Sequence, residues 1–171
     1  MLKILIVEDE PLLASTLKHL IELNPRFQVT HIADDVESAM AAAEERQPDL
    51  ALVDLQLARG STGFSVAVKL NALGVACLFT TGKAPPFPMP DLALGCLLKP
   101  YTEEDVVRAL KAAEDRLRGR ERLRPSLPEN LHIYSPETIV PVPVEQAFLE
   151  VRPLAARQSI RNRLSRWLLP I

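Results

Sequence analysis

Apolar residues follow two alternating rhythms along the chain. Short apolar runs at 3–7, 27–33, 50–53 and 75–80 have the length of buried strands. Between them, stretches at 12–23, 36–46, 64–73 and 103–118 carry apolar residues at helical spacing, bounded by stops such as Asn24-Pro25, Gln47-Pro48 and Gly74. A fifth strand at 95–98 ends in Lys99-Pro100. Strands and helices alternating in this way predict an α/β fold with a parallel sheet. The last helix should open at Thr102, whose hydroxyl can cap free amides while Glu103, Glu104 and Asp105 complement the positive end of the helix dipole.

One crossover breaks the rhythm. Between residues 84 and 90 four prolines stand where a further helix would be expected, and no ordinary helix survives them. An extended or turn-rich crossover, with at most a single helical turn at 91–94, is predicted instead. Beyond residue 120 the composition changes again, and the division read from the sequence is a body at 1–120 and a proline-rich linker with a basic amphipathic tail at 121–171. The span 125–143 looks like a linker or a strap, but Leu131, Ile133, Tyr134, Ile139 and Val140 favour a docked segment over a wholly disordered one. Within 154–168, Ile160, Leu164, Trp167 and Leu168 share one helical face.

A chain of 171 residues with 47% hydrophobic content holds one ordinary domain and an appendage. No run reaches transmembrane length, and the opening MLKILIVEDE alternates like folded structure rather than a signal peptide, so the reading is a soluble cytoplasmic protein. Cys77 and Cys96 sit inside apolar runs, which suits buried thiols better than an exported disulfide framework. The net charge of −2 hides an asymmetry, because the body is acidic while the last twenty residues hold five Arg and no Asp or Glu.

The chemistry gathers at strand ends. In doubly wound α/β folds the carboxyl ends of the strands face one crevice, so residues that follow different strands can share a site. Strand one ends in Glu8-Asp9, strand three in Asp54, strand four in Thr81-Gly82 and strand five in Lys99-Pro100. Singly, each has a plainer role: Asp54 could cap the next helix, Lys99 could be a solvated charge and Thr81-Gly82 an ordinary turn. Jointly, three carboxylates, a hydroxyl and an ammonium would meet in one pocket. Crowded carboxylates repel unless a cation neutralises them, and oxygen-only ligands suit Mg²⁺ held by Asp9 and Asp54, with Glu8 acting through water. Asp54 could then attack phosphorus while Lys99 offsets charge on the transferring oxygens.

The runs Ile4-Leu5-Ile6-Val7-Glu8-Asp9-Glu10, Leu52-Val53-Asp54-Leu55-Gln56-Leu57, Phe79-Thr80-Thr81-Gly82 and Leu97-Leu98-Lys99-Pro100-Tyr101 resemble the receiver domains of bacterial response regulators, which are CheY-like. The resemblance covers roughly residues 1–120. It implies a flavodoxin-like, doubly wound, five-stranded parallel sheet of order 2-1-3-4-5 with five helices, here with the fourth short or missing. It also implies Mg²⁺ on Asp9, Asp54 and the Gln56 backbone carbonyl, and a phosphoryl group passed to Asp54 from a sensor histidine kinase or a histidine phosphotransfer protein. Thr81 and Lys99 would bind that group, and Gln56 and Lys83 would modulate its loss to water. Such a protein is not an ordinary enzyme; it self-phosphorylates with Mg²⁺, slowly loses the phosphoryl group and signals to a downstream protein.

The sequence departs from the family in places. Counting back three residues from Lys99 lands on Cys96, where the family carries an aromatic that swings inward on activation. Phe79-Thr80-Thr81-Gly82 resembles the alphaproteobacterial single-domain subgroup named for a Phe-Ala-Thr-Gly-x-Tyr run, with Thr80 for Ala and Ala84 for Tyr. Residues 59–63 resemble receivers with one extra residue after the phosphoacceptor. Residues 123–171 match no output domain, which speaks against direct DNA contact. Their amphipathic segment suits packing on the body or on a second copy, as a homodimer, ahead of a partner or a membrane surface. Two other functions compete. A haloacid-dehalogenase-type phosphohydrolase would need an Asp where Gln56 stands, whereas a receiver-like scaffold that is never phosphorylated would tolerate Cys96.

Overall fold

The structure, a computed structural model, describes residues 1–57, 60–120 and 127–135. Its elements run β1 (Leu2–Val7), α1 (Pro11–Glu22), β2 (Phe27–Ala33), α2 (Val36–Arg46), β3 (Leu50–Asp54), α3 (Gly63–Ala72), β4 (Ala76–Thr81), β5 (Gly95–Leu98), α4 (Glu103–Leu117) and β6 (Leu131–Ile133). The basic amphipathic stretch at 154–168, the linker residues 121–126 and 136–143, and Arg59 lie outside the described residues.

Strand periodicity divides the core in two. Along β1 and β3, Ile4, Ile6, Leu50 and Leu52 point to one face and join Leu17, Ile21, Val106 and Leu110 from α1 and α4. Leu5, Val7, Ala51 and Val53 point to the other and meet Ala39, Ala43, Val66 and Leu70 from α2 and α3. A sheet buried on both faces needs continuous apolar strands, which is why these runs read as unbroken rather than alternating. Three helices open on reciprocal caps: Asp35 with Ser38, Thr62 with Ser65, and Thr102 with Asp105. The expected Thr102 cap is present, with its hydroxyl accepting the Asp105 N–H at 3.2 Å.

The sheet order is β2-β1-β3-β4-β5-β6. The first five strands are parallel neighbours in the order the sequence resemblance implied. The expected count of five strands is corrected by β6, which pairs antiparallel with β5. Its alternation is legible in Leu131-His132-Ile133-Tyr134, and it covers an edge that would otherwise expose the β5 backbone. The strand approaches so closely that a Cβ on Gly95 would stand 2.3 Å from the His132 carbonyl oxygen. Of the strap's apolar residues, Leu131 and Tyr134 are buried and Ile133 is partly buried, while Ile139 and Val140 lie outside the described residues.

The five helices implied by the resemblance become four among the described residues, because the proline-rich crossover forms none. Only one turn appears there, where the Leu92 and Ala93 N–H groups both donate to the Met89 carbonyl. Asn71 on α3 anchors this turn by donating to the Leu92 carbonyl at 2.9 Å. Among the described residues no helix is long and apolar enough to cross a membrane.

Candidate functional site

The carboxyl ends of β1, β3, β4 and β5 carry Glu8, Asp54, Thr81 and Lys99 to one rim of the sheet. Lys99 closes the cluster. Its Nζ lies 2.6 Å from Asp54 Oδ2 and 2.7 Å from Glu8 Oε2, so two carboxylates share one ammonium. Both acids are buried, at 6% and 4% exposure, which leaves little water to screen them. The second Asp54 oxygen is also engaged, since the Gln56 N–H donates to Oδ1 at 2.9 Å.

Local sequence explains the placement. The segment after β3 folds back onto α3, where the Gly63 N–H donates to the Leu55 carbonyl. A Cβ at Gly63 would lie 2.2 Å from the Asp54 carbonyl oxygen, so only glycine allows this approach. On the opposite side, the Lys99 N–H donates to the Thr81 carbonyl at 2.8 Å and ties β5's end to β4's. The Thr81 hydroxyl accepts the Lys83 N–H at 3.4 Å.

Burial and charge act against one another here. Burial raises the Glu8 pKa, the Lys99 hydrogen bond and charge counter that rise, and the Asp54 charge adds to it. For Lys99, burial works to lower the pKa, but the hydrogen bonds and charges of Asp54 and Glu8 outweigh it, so the ammonium is held above its ordinary value. Tyr101, behind Lys99 in the chain, is pushed up to about 12 chiefly by burial and stays neutral.

The structure therefore brings Glu8, Asp54 and Lys99 into direct contact, with Thr81 joined to Lys99 through the backbone. Asp9 follows Glu8 and is half-buried. Gln56 touches Asp54 through its backbone, while its side chain and that of Lys83 are exposed at the rim. Among the described residues no three His, Cys, Asp or Glu side chains form a metal cage by themselves.

Residues 4–111 match the model of the response regulator receiver domain. The chain belongs to that family. The sensory transduction protein LytT of Bacillus cereus is 33% identical over 117 residues, covering 65% of this chain and 46% of the relative. LytT of Enterococcus faecalis is 30% identical over 159 residues, covering 88% of this chain and 61% of the relative. This chain thus spans about half the length of the first of these curated relatives. Among solved structures, the receiver domain of a modulated diguanylate cyclase from Desulfovibrio desulfuricans G20 matches with a TM-score of 0.60 at 27% identity, covering 70% of this chain and 98% of that one. A CheY-like receiver from Methanospirillum hungatei JF-1 matches with a TM-score of 0.62 at 24% identity over 70% of this chain and 98% of that one, a likeness of fold.

Within this receiver frame, Cys96 stands fully buried where the family's aromatic was expected. Sequence reasoning missed what lies against it. Tyr134, just past β6, packs in the same buried cluster as Cys96, and its hydroxyl influences the ionisation of the thiol. Burial pushes that thiol up to about 11, the Tyr134 hydroxyl moderates the rise and the Asp54 charge adds to it. Tyr134 also helps to line a cavity of about 280 Å³ beneath Pro85, Pro86 and Phe87. The signal available in sequence was the apolar alternation at 131–134, which marked a docked segment without naming its partner.

Proposed function

We propose that this receiver accepts a phosphoryl group on Asp54 from the phosphohistidine of a sensor histidine kinase or a histidine phosphotransfer protein, and signals by protein–protein contact. The observation that carries the reading is the single Lys99 ammonium held between buried Asp54 and Glu8. As an Asp54 oxygen forms its bond to phosphorus, the phosphorus–nitrogen bond of the donor breaks and its electron pair stays on the imidazole. Lys99, released from Asp54, is placed to follow the incoming oxygens. The Thr81 hydroxyl stands at the adjoining strand end as a donor to them.

The residues also suit a divalent cation. Glu8, Asp9 and Asp54 follow strand ends at one rim, and an oxygen-only set of this kind suits a hard divalent cation. Asp9, Asp54 and the Gln56 carbonyl would hold Mg²⁺, with Glu8 acting through water and the remaining positions left to water and phosphate oxygens. When bound, the ion supplies charge stabilisation to the transferring phosphoryl oxygens. Gln56 and Lys83, both exposed, would tune water's access to the aspartyl phosphate.

Incubation with acetyl phosphate and Mg²⁺ tests this reading. Intact mass should rise by one phosphoryl group in the wild type and not in Asp54→Asn. A second reading, a scaffold that binds its partner without phosphorylation, is favoured by the small, buried Cys96 at the aromatic position. No Asp54-dependent mass gain would select it.

A further inference from the structure

Asn130, at the entry to β6, reaches both sides of Lys99. Its backbone carbonyl accepts the Leu98 N–H at 2.8 Å. Its side-chain Nδ2 stands 3.2 Å from the Leu98 carbonyl oxygen, 3.4 Å from that of Pro100 and 3.5 Å from Asp105 Oδ2. All three neighbours accept, so the amide nitrogen must face them. The other amide atom, Oδ1, is buried without a hydrogen-bond partner. A buried unpaired acceptor opposes stability, and the group that gains from this orientation is the loop around Lys99.

On the pocket side the loop is held by the Lys99 ammonium on Asp54 and Glu8, and Tyr101 packs against the core. Lys99 itself donates its N–H to Thr81, while the flanking carbonyls of Leu98 and Pro100 point at Asn130. Asp105, the third neighbour, also forms the reciprocal cap that opens α4. One side chain thus joins the residue before Lys99, the residue after it and the start of the next helix. β6 itself is docked by other groups: its register with β5, the Tyr134 N–H on the Leu94 carbonyl, and the close approach at Gly95. The Asn130 amide is therefore not needed to hold the strand.

We propose that Asn130 is a positioning residue for Lys99. By pinning the backbone on both sides it keeps the ammonium on Asp54 and Glu8, and this makes residues 127–135 a working part of the phosphorylation pocket. The proposal rests on the reading of Asp54 as phosphoacceptor for its effect on transfer, but not for the placement of Lys99.

The full-length chain and its Asn130→Ala, Lys99→Ala and doubly substituted variants provide the test, with Asn130→Asp, of equal size, as the replacement should the alanine variant not fold. The first readout does not involve phosphorylation: lysines are acylated with an N-hydroxysuccinimide ester and counted by peptide mass spectrometry, with exposed Lys18 as the internal reference. Losing the amide contacts should raise Lys99 labelling relative to Lys18 by about five-fold. Unchanged labelling overturns the proposal.

The second readout is the rate of mass gain with acetyl phosphate and Mg²⁺. Asn130→Ala should slow the wild type about five-fold and have no further effect once Lys99 is alanine. Additive losses would mean that Asn130 acts by another route, and would also overturn it. A wild type that gains no Asp54-dependent mass defeats the phosphoacceptor reading alone, and the labelling still decides the role of Asn130.

Discussion

The Lys99 ammonium lies 2.6 Å from Asp54 Oδ2, the atom pair on which the proposed chemistry turns. The contact neutralises Asp54 before transfer and leaves Lys99 beside the oxygens that arrive. Replacing Lys99 with alanine removes a preorganised charge from a site with little water, an effect worth about 10²-fold in rate by analogy with single oxyanion donors. Lys99→Ala should therefore slow phosphorylation by acetyl phosphate by about that factor. Time-resolved intact mass spectrometry reads it, and a rate within two-fold of wild type would remove Lys99 from the transfer step.

The same contact carries a pH signature. Lys99 is held above its ordinary 10.5 in the folded protein. Below that value both folded and unfolded chains keep the proton and the contribution to stability is whole. Above it the unfolded chain releases the proton first, so stability falls as pH rises through the folded value. Tyr101, pushed to about 12 by burial, adds a loss of the same sign. The diagnostic quantity is thus the difference from Lys99→Met: thermal unfolding midpoints of the wild type should fall more steeply above pH 10.5 than those of the variant. Parallel curves would contradict the ion pairs.

Much of this was legible in the residues because strand ends converge. Glu8, Asp54 and Lys99 are separated widely in sequence, yet each follows an apolar run, and a parallel doubly wound sheet places all such ends in one crevice. The crossover was equally legible, since four prolines admit no ordinary helix. β6 was not. Three residues of apolar alternation specify a docked strand but not its edge or direction, and both are set by tertiary contacts at Gly95. Asn130 was invisible for a related reason: an isolated Asn just before an apolar alternation reads as turn chemistry until the structure places the Leu98 and Pro100 carbonyls against it.

The reciprocal cap at α4 offers a smaller test of the local reading. Thr102→Ala removes the hydroxyl that accepts the Asp105 N–H at 3.2 Å and donates to the Asp105 carboxylate at 2.9 Å. The loss should be about 1 kcal/mol of unfolding free energy. Urea denaturation should show a lower midpoint with an unchanged slope.

Gly95 separates the docking of β6 from every other contact in the fold. An alanine there meets the His132 carbonyl oxygen at 2.3 Å and the Ile133 Cα at 3.0 Å, both backbone atoms that cannot turn aside. The strand must shift, and overpacking of this kind costs about 1–3 kcal/mol. Cys96 reports the shift, because it is fully buried, its thiol is pushed up to about 11, and Tyr134 packs in the same cluster. In the native wild type it should resist iodoacetamide at mildly alkaline pH, since the thiolate is the reactive form. Gly95→Ala should expose it and give an adduct at Cys96, while Cys77, buried between β3 and β5 with its thiol pushed up to about 12, stays unmodified. Peptide mapping distinguishes the two cysteines. Equal protection of Cys96 in both proteins would mean that β6 does not shield it.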